Sequence, residues 1–188
     1  MKKIFFTTIV AITVLLSGCL TSQFKSYKFT FKDKKNGTLE IVYHNIFADV
    51  SDSEDPDSVS QADYQEVIDK YMKGDEIEAG FKNVKVLKKE LFEENGTLNA
   101  RIIVEFQDPA DVKLYKYDKN SPWMFKYSSD EKFYSSNGEK KFEDYSIIFW
   151  PQNHKETFEL TTTISEPDDN DKSLLSEWKT KPYTWRGN

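Results

Sequence analysis

The 188-residue chain carries 26 basic and 32 acidic side chains, a formal charge of −6, with 15% aromatic residues and a single cysteine. The acidic balance excludes nucleic acid and anionic lipid headgroups as the main electrostatic partner. One cysteine excludes an internal disulfide framework, so a domain of this size must stand on its core alone.

The chain opens with Lys2 and Lys3, then runs apolar from Ile4 to Leu16 with only Thr7, Thr8 and Thr13 interrupting. A short apolar run behind a basic start is the pattern of a secretory signal. It falls below the roughly 20 apolar residues that a membrane-spanning helix needs. The segment "LSGC", Leu16 to Cys19, follows at once. It resembles the lipobox of bacterial lipoproteins: a leucine, two small residues and a cysteine.

That resemblance implies cleavage before Cys19, diacylation of its thiol and, in many members, acylation of the new amino terminus. It implies a lipid-anchored protein of the bacterial cell envelope. Leu20, where an aspartate favours inner-membrane retention, leans towards the outer membrane if the cell has one. Two or three acyl chains would hold the domain at the bilayer, since each buried CH2 contributes about 0.8 kcal/mol. Loss of Lys2 and Lys3 with the leader takes the formal charge from −6 to −8. The boundaries expected are a signal peptide over 1–18, the lipidated cysteine and a short tether over 19–26, and one domain over 27–188.

In that domain, Tyr27, Phe29 and Phe31 alternate with polar residues, and Leu39, Ile41 and Tyr43 do the same after "KKNG". Period-two patterning on both sides of Asn36-Gly37 predicts a β-hairpin. The acidic stretch 49–60 predicts a loop. Tyr64, Val67, Ile68, Tyr71 and Met72 then recur at helical spacing, with Ser60 and Asp63 as a capping box and Gly74 as the stop. A second hairpin is predicted around Asn95-Gly96, and one helical turn at "DPADV", capped by Asp108 with Pro109 first.

Further strands are predicted in "WMFKYSS" and in the pair "DYSIIFWP" and "HKETFELTTTIS", with a turn near Asn137-Gly138. A short helix with Leu174, Leu175 and Trp178 inward follows a second acidic loop. The sum is an α+β fold: seven or so strands, mostly antiparallel hairpins, with two helices packed on one face.

Chemistry-bearing patterns are sparse. Asp52, Glu54, Asp55 and Asp57 form the densest carboxylate cluster, and calcium takes six to eight oxygen ligands. Their spacing departs from the EF-hand pattern and no glycine supplies its sharp turn, so the bland reading is a solvated loop. The two histidines, His44 and His154, sit in different strand regions without H-x-x-x-H spacing. The motif scan finds no G-x-S-x-G elbow and no S-x-x-K with S-D-N, although triads and carboxylate pairs assembled in space leave no linear trace.

Trp123, Met124 and Phe125, and the tail residues Tyr183 and Trp185, are the candidate interaction residues, because aromatics and methionine are enriched at interfaces. The functional expectation is a non-catalytic binding or assembly component, with the membrane and a protein or envelope component as partners, no nucleic acid, and no cofactor beyond the covalent lipid. Two alternatives stay open: an envelope hydrolase acting on glycan or peptide, and a calcium-dependent binding module.

Overall fold

A computed structural model describes residues 21–154 and 157–187. Cys19 and the signal-like segment lie outside the described residues. The fold is α+β, as the patterning predicts, and mostly antiparallel sheet.

The chain opens with the hairpin β1 (Ser22–Phe31) and β2 (Gly37–Ala48), in register from Ser22 opposite Ile46 to Phe31 opposite Gly37. The turn is held by Asp33, whose carboxylate accepts from the backbone N–H groups of Lys35 and Asn36, each at 2.8 Å. Gly37 is required by a close approach: a Cβ there would sit 2.5 Å from the Thr30 carbonyl oxygen and 2.6 Å from the Phe106 ring. β1 begins earlier than expected. Gln23 to Ser26 are strand rather than tether, because Ser22 is already fully buried in the sheet.

Helix α1 (Pro56–Glu66) runs on into a π-helical turn, Val67–Lys73. Its cap is Asp55, which accepts from Ser58 N at 3.2 Å, one turn before the predicted Ser60. Ser60 instead lies buried within the helix, its hydroxyl turned back to the Asp57 carbonyl. Gly74 ends the segment as predicted.

The second hairpin is β3 (Lys85–Glu94) and β4 (Thr97–Phe106). Asn95 (φ 52°) and Gly96 (φ 78°) both take the left-handed conformation that an Asn-Gly turn supplies. A 3-10 turn at Pro109–Val112 is capped by Asp108, which accepts from Ala110 N at 2.9 Å. Then come β5 (Leu114–Tyr115), β6 (Trp123–Lys126), β7 (Lys132–Ser136), β8 (Ile147–Trp150), β9 (Phe158–Thr163), β10 (Lys172–Ser173) and α2 (Leu175–Thr180).

The strands form two sheets. The larger runs β3-β4-β2-β1-β9-β7 with β10 beside the end of β2, and the smaller runs β5-β6-β8. The β8 and β9 segments are therefore both strands but not partners. β8 pairs β6, whereas β9 lies between β1 and β7. Pro151 follows β8 directly and has no N–H to continue its ladder.

One face of the large sheet carries both core clusters. At one end Phe29, Leu39, Ile102, Val104, Phe106 and Phe158 pack against Phe125, Ile148 and Trp150 of the small sheet. At the other end Ile46, Leu98 and Ala100 pack under Tyr64, Ile68 and Met72 of the helical segment and Leu174 beside α2. Tyr43 touches both clusters.

Candidate functional site

The cleft around Trp123 is the candidate site. It lies at the end of the large sheet where β1 finishes and β9 begins, and encloses about 660 Å³. Its floor is aromatic. Trp123 sits 5.3 Å from Phe31 and 6.1 Å from Phe158, measured between ring centres. These rings project there because Phe31 and Phe158 end the inward rows of β1 and β9, while Trp123 starts β6 above them.

Among the described residues the rim is mostly basic, formed by Lys34, Lys116 and Lys119 with His154 and Gln152, beside the Asp33 carboxylate. Lys116 places its ammonium 4.5 Å from the Trp123 ring centre, in cation–π range. Asp118 accepts from Asn120 N (2.8 Å), Ser121 N (2.9 Å) and the Ser121 hydroxyl (2.9 Å), which fixes the loop that carries Lys119. Gln152 donates to the Lys119 carbonyl at 2.5 Å and joins the two sides of the rim. The backbone N–H groups of Asn36 and Lys35 hold the Asp33 carboxyl below its usual range, so it stays charged beside Lys34. The His154 ring lies 5.3 Å from that of Phe158, tilted by 54°. The arrangement offers an aromatic floor with cationic donors at its rim.

The other candidate residues are dispersed. Met124 is half-buried beside Tyr115 and Phe149, whereas Phe125, only 3% exposed, belongs to the core. Tyr183 packs on the second core cluster and, with Trp185, Lys73 and Arg186, lines a separate shallow hollow of about 500 Å³. The four carboxylates proposed for calcium each have another use. Asp52 accepts from Asn170 at 2.9 Å, Glu54 from the Ser51 hydroxyl at 2.7 Å, Asp55 caps α1, and Asp57 pairs with Lys172. Among the described residues no three His, Cys, Asp or Glu side chains are grouped to hold a metal ion.

Ser26 and His44 meet on the outer face of the large sheet, hydroxyl to Nε2 at 2.8 Å. Burial first, then Arg101 nearby, lowers the His44 pKa against an opposing pull from Glu94, so the ring stays neutral and can accept from the serine. Among the described residues no carboxylate hydrogen-bonds its other nitrogen.

Sequence reasoning named Trp123 but missed the lysines around it, which come from two loops far apart in the chain, Lys34 between β1 and β2 and Lys116 and Lys119 between β5 and β6. It also missed Lys25 and Glu131, an ion pair at 3.2 Å with side chains 16% and 7% exposed. Burial lowers the Lys25 pKa, but Tyr43, Tyr27 and Glu131 around it outweigh that and leave it raised. Burial raises the Tyr27 hydroxyl. No helix among the described residues is long and apolar enough to cross a membrane. Comparison with protein families, curated proteins and solved structures finds no match to this chain.

Proposed function

We propose that the chain is a lipid-anchored protein of the bacterial cell envelope that binds a protein or envelope component through the Trp123 cleft. Support for the anchor is the lipobox-like "LSGC", whose Cys19 stands three positions before Ser22, the first residue of a central strand. The observation that carries the binding role is the cleft itself: an aromatic floor with three lysines at its rim, on a chain of net charge −6. Aromatic side chains in partly desolvated pockets are the usual energetic centres of recognition surfaces.

The test has two arms. Metabolic labelling with an alkyne fatty acid labels the wild type, whereas Cys19→Ala stays unlabelled and keeps its leader; an unmodified thiol in the native product overturns the anchor. A chain beginning at Leu20 has no lipid to carry it down, and in its co-sedimentation with envelope isolated from the producing cell Trp123→Ala weakens binding about 10- to 30-fold, the range of a central aromatic contact. Unchanged co-sedimentation overturns the cleft as the contact surface.

A further inference from the structure

Lys25 stands at an inward position of β1, opposite Tyr43 on β2 and Thr162 on β9. Its row separates the two apolar clusters of the core. A charge there is costly unless it is paired and hydrogen-bonded, and even a well-made buried pair is often no more stabilising than apolar residues of the same size. The pairing is thorough on the acidic side. Glu131 accepts from Lys25 at 3.2 Å, from the Tyr27 hydroxyl at 2.9 and 3.1 Å, and from the Thr162 hydroxyl at 2.7 Å. Three donors thus meet this carboxylate, the single Tyr27 proton being shared between its two oxygens.

The lysine is less committed. An ammonium has three donors, and this one lies between the rings of Tyr27 and Tyr43, 5.0 and 4.9 Å from their centres. It lines a cavity of about 570 Å³ between the two sheets and the segment 77–81. That volume suits a small ligand. Ile77, Phe81 and Phe125 supply apolar wall, and Lys113 and Lys126 add two further cations. Lys113 is itself unusual. It holds φ at 60° where the 3-10 turn ends, and its ammonium lies 5.6 Å from the Phe81 ring centre. That left-handed backbone closes the 3-10 turn, the Lys113 N–H donating to the Ala110 carbonyl at 3.1 Å, and fixes where the side chain leaves the chain.

We propose that this cavity binds a small organic carboxylate, its head on Lys25 and Lys113 and its apolar body against Ile77, Phe81 and Phe125. On this wall the three lysines Lys25, Lys113 and Lys126 outnumber the Glu131 carboxylate, which favours an acid over its neutral analogue. The site is separate from the Trp123 cleft and does not depend on the lipid anchor.

The test is calorimetric titration of naphthalene-2-carboxylate and of octanoate into the full chain in non-ionic detergent, against a detergent-only blank, with naphthalene-2-carboxamide as the neutral control. One-to-one binding of at least one acid is expected, with the amide at least tenfold weaker. Lys113 is exposed, so Lys113→Gln retains the wild-type melting temperature and loses about tenfold in affinity. Lys25→Met abolishes binding if it folds; if it does not, Lys113→Gln decides. The proposal is overturned by no saturable heat with either acid, by equal binding of acid and amide, or by unchanged affinity in Lys113→Gln.

Discussion

Single side chains in this protein depart from what their position in the sequence advertises, and Asp63 shows it most simply. It lies half-buried on α1, where burial first, then Glu66, Asp49 and Glu54, push its pKa up to about 6. The folded state therefore holds that proton more tightly than the unfolded chain, whose carboxyl titrates near about 3.9. Protonation stabilises the fold fully below about pH 4, and the benefit is lost as pH rises through 6. Asp63→Asn is therefore expected to gain about 1 kcal/mol at pH 7.5, after allowance for solvent screening at a half-exposed site. The gain vanishes below about pH 4, and thermal unfolding at both pH values checks this. No pattern in the sequence singles out Asp63 beyond a capping role, because its shift comes first from burial, which only the fold sets, with Asp49 and Glu54 adding to it from outside the helix. Lys25 was hidden differently. It shares the parity of Tyr27, Phe29 and Phe31, yet a lysine ahead of an alternating run reads as solvated, and only its long-range partners Glu131 and Thr162 reveal that it points inward.

Secondary-structure elements are legible to the degree that local chemistry decides them. Both Asn-Gly hairpins and the Asp108-Pro109 turn form where turn residues require them, because each is closed by bonds within a few residues. The π-helical turn Val67–Lys73 had no such signal, and the reason is again a distant lysine. Lys89 points inward from the edge strand β3, its side chain 4% exposed. It donates to the carbonyls of Tyr71 (3.1 Å) and Gly74 (2.6 Å) and pairs with Glu78 at 2.5 Å. Orphan carbonyls at a helix end need such donors, and an inward charge on an edge strand also deters pairing with another chain. Lys89→Met removes both functions and leaves Glu78 without its cation. Its other oxygen, Oε2, is buried with no partner among the described residues. A loss of about 3–5 kcal/mol is expected in thermal unfolding, the range for breaking a buried pair. Amide exchange should accelerate first across residues 67–74; uniform acceleration along the chain would show that Lys89 does not act on that turn. The separation of β8 from β9 belongs to the same class of missed feature. Two neighbouring strands are easily read as a hairpin, and only the pairing of β8 with Trp123–Lys126 places it in the other sheet.

At the scale of the whole molecule, the antiparallel registers place the N-terminal end of β1 beside the Asn95-Gly96 turn and the end of β2, with the Trp123 cleft at the other end. From Ser22 to Phe31 at about 3.3 Å per residue, the two ends are about 30 Å apart. Leu20 and Thr21 alone separate Cys19 from Ser22, a reach of about 10 Å. Acylation of Cys19, as proposed, would bring the Asn95 turn to the headgroups and direct the lysine-rimmed cleft away from them. Charge works against that orientation, so the short tether must set it. The acidic stretches around residues 49–57 and 166–171 flank the ends of β2 and β10, on the anchored side, where anionic headgroups repel them; Lys34, Lys116 and Lys119 lie at the far end. Acylation would also consume the chain's single thiol, so a cysteine introduced elsewhere takes a spin label alone. In reconstituted vesicles, a nitroxide at Asn95→Cys is expected to show lipid-phase oxygen accessibility, and one at Lys34→Cys the full accessibility of a water-soluble nickel relaxant. Equal water exposure at both sites would mean that the domain swings free of its anchor. Burial at position 34 would mean that the cleft faces the bilayer, and a basic aromatic surface in that orientation would be a membrane contact instead of a site for a partner in the envelope.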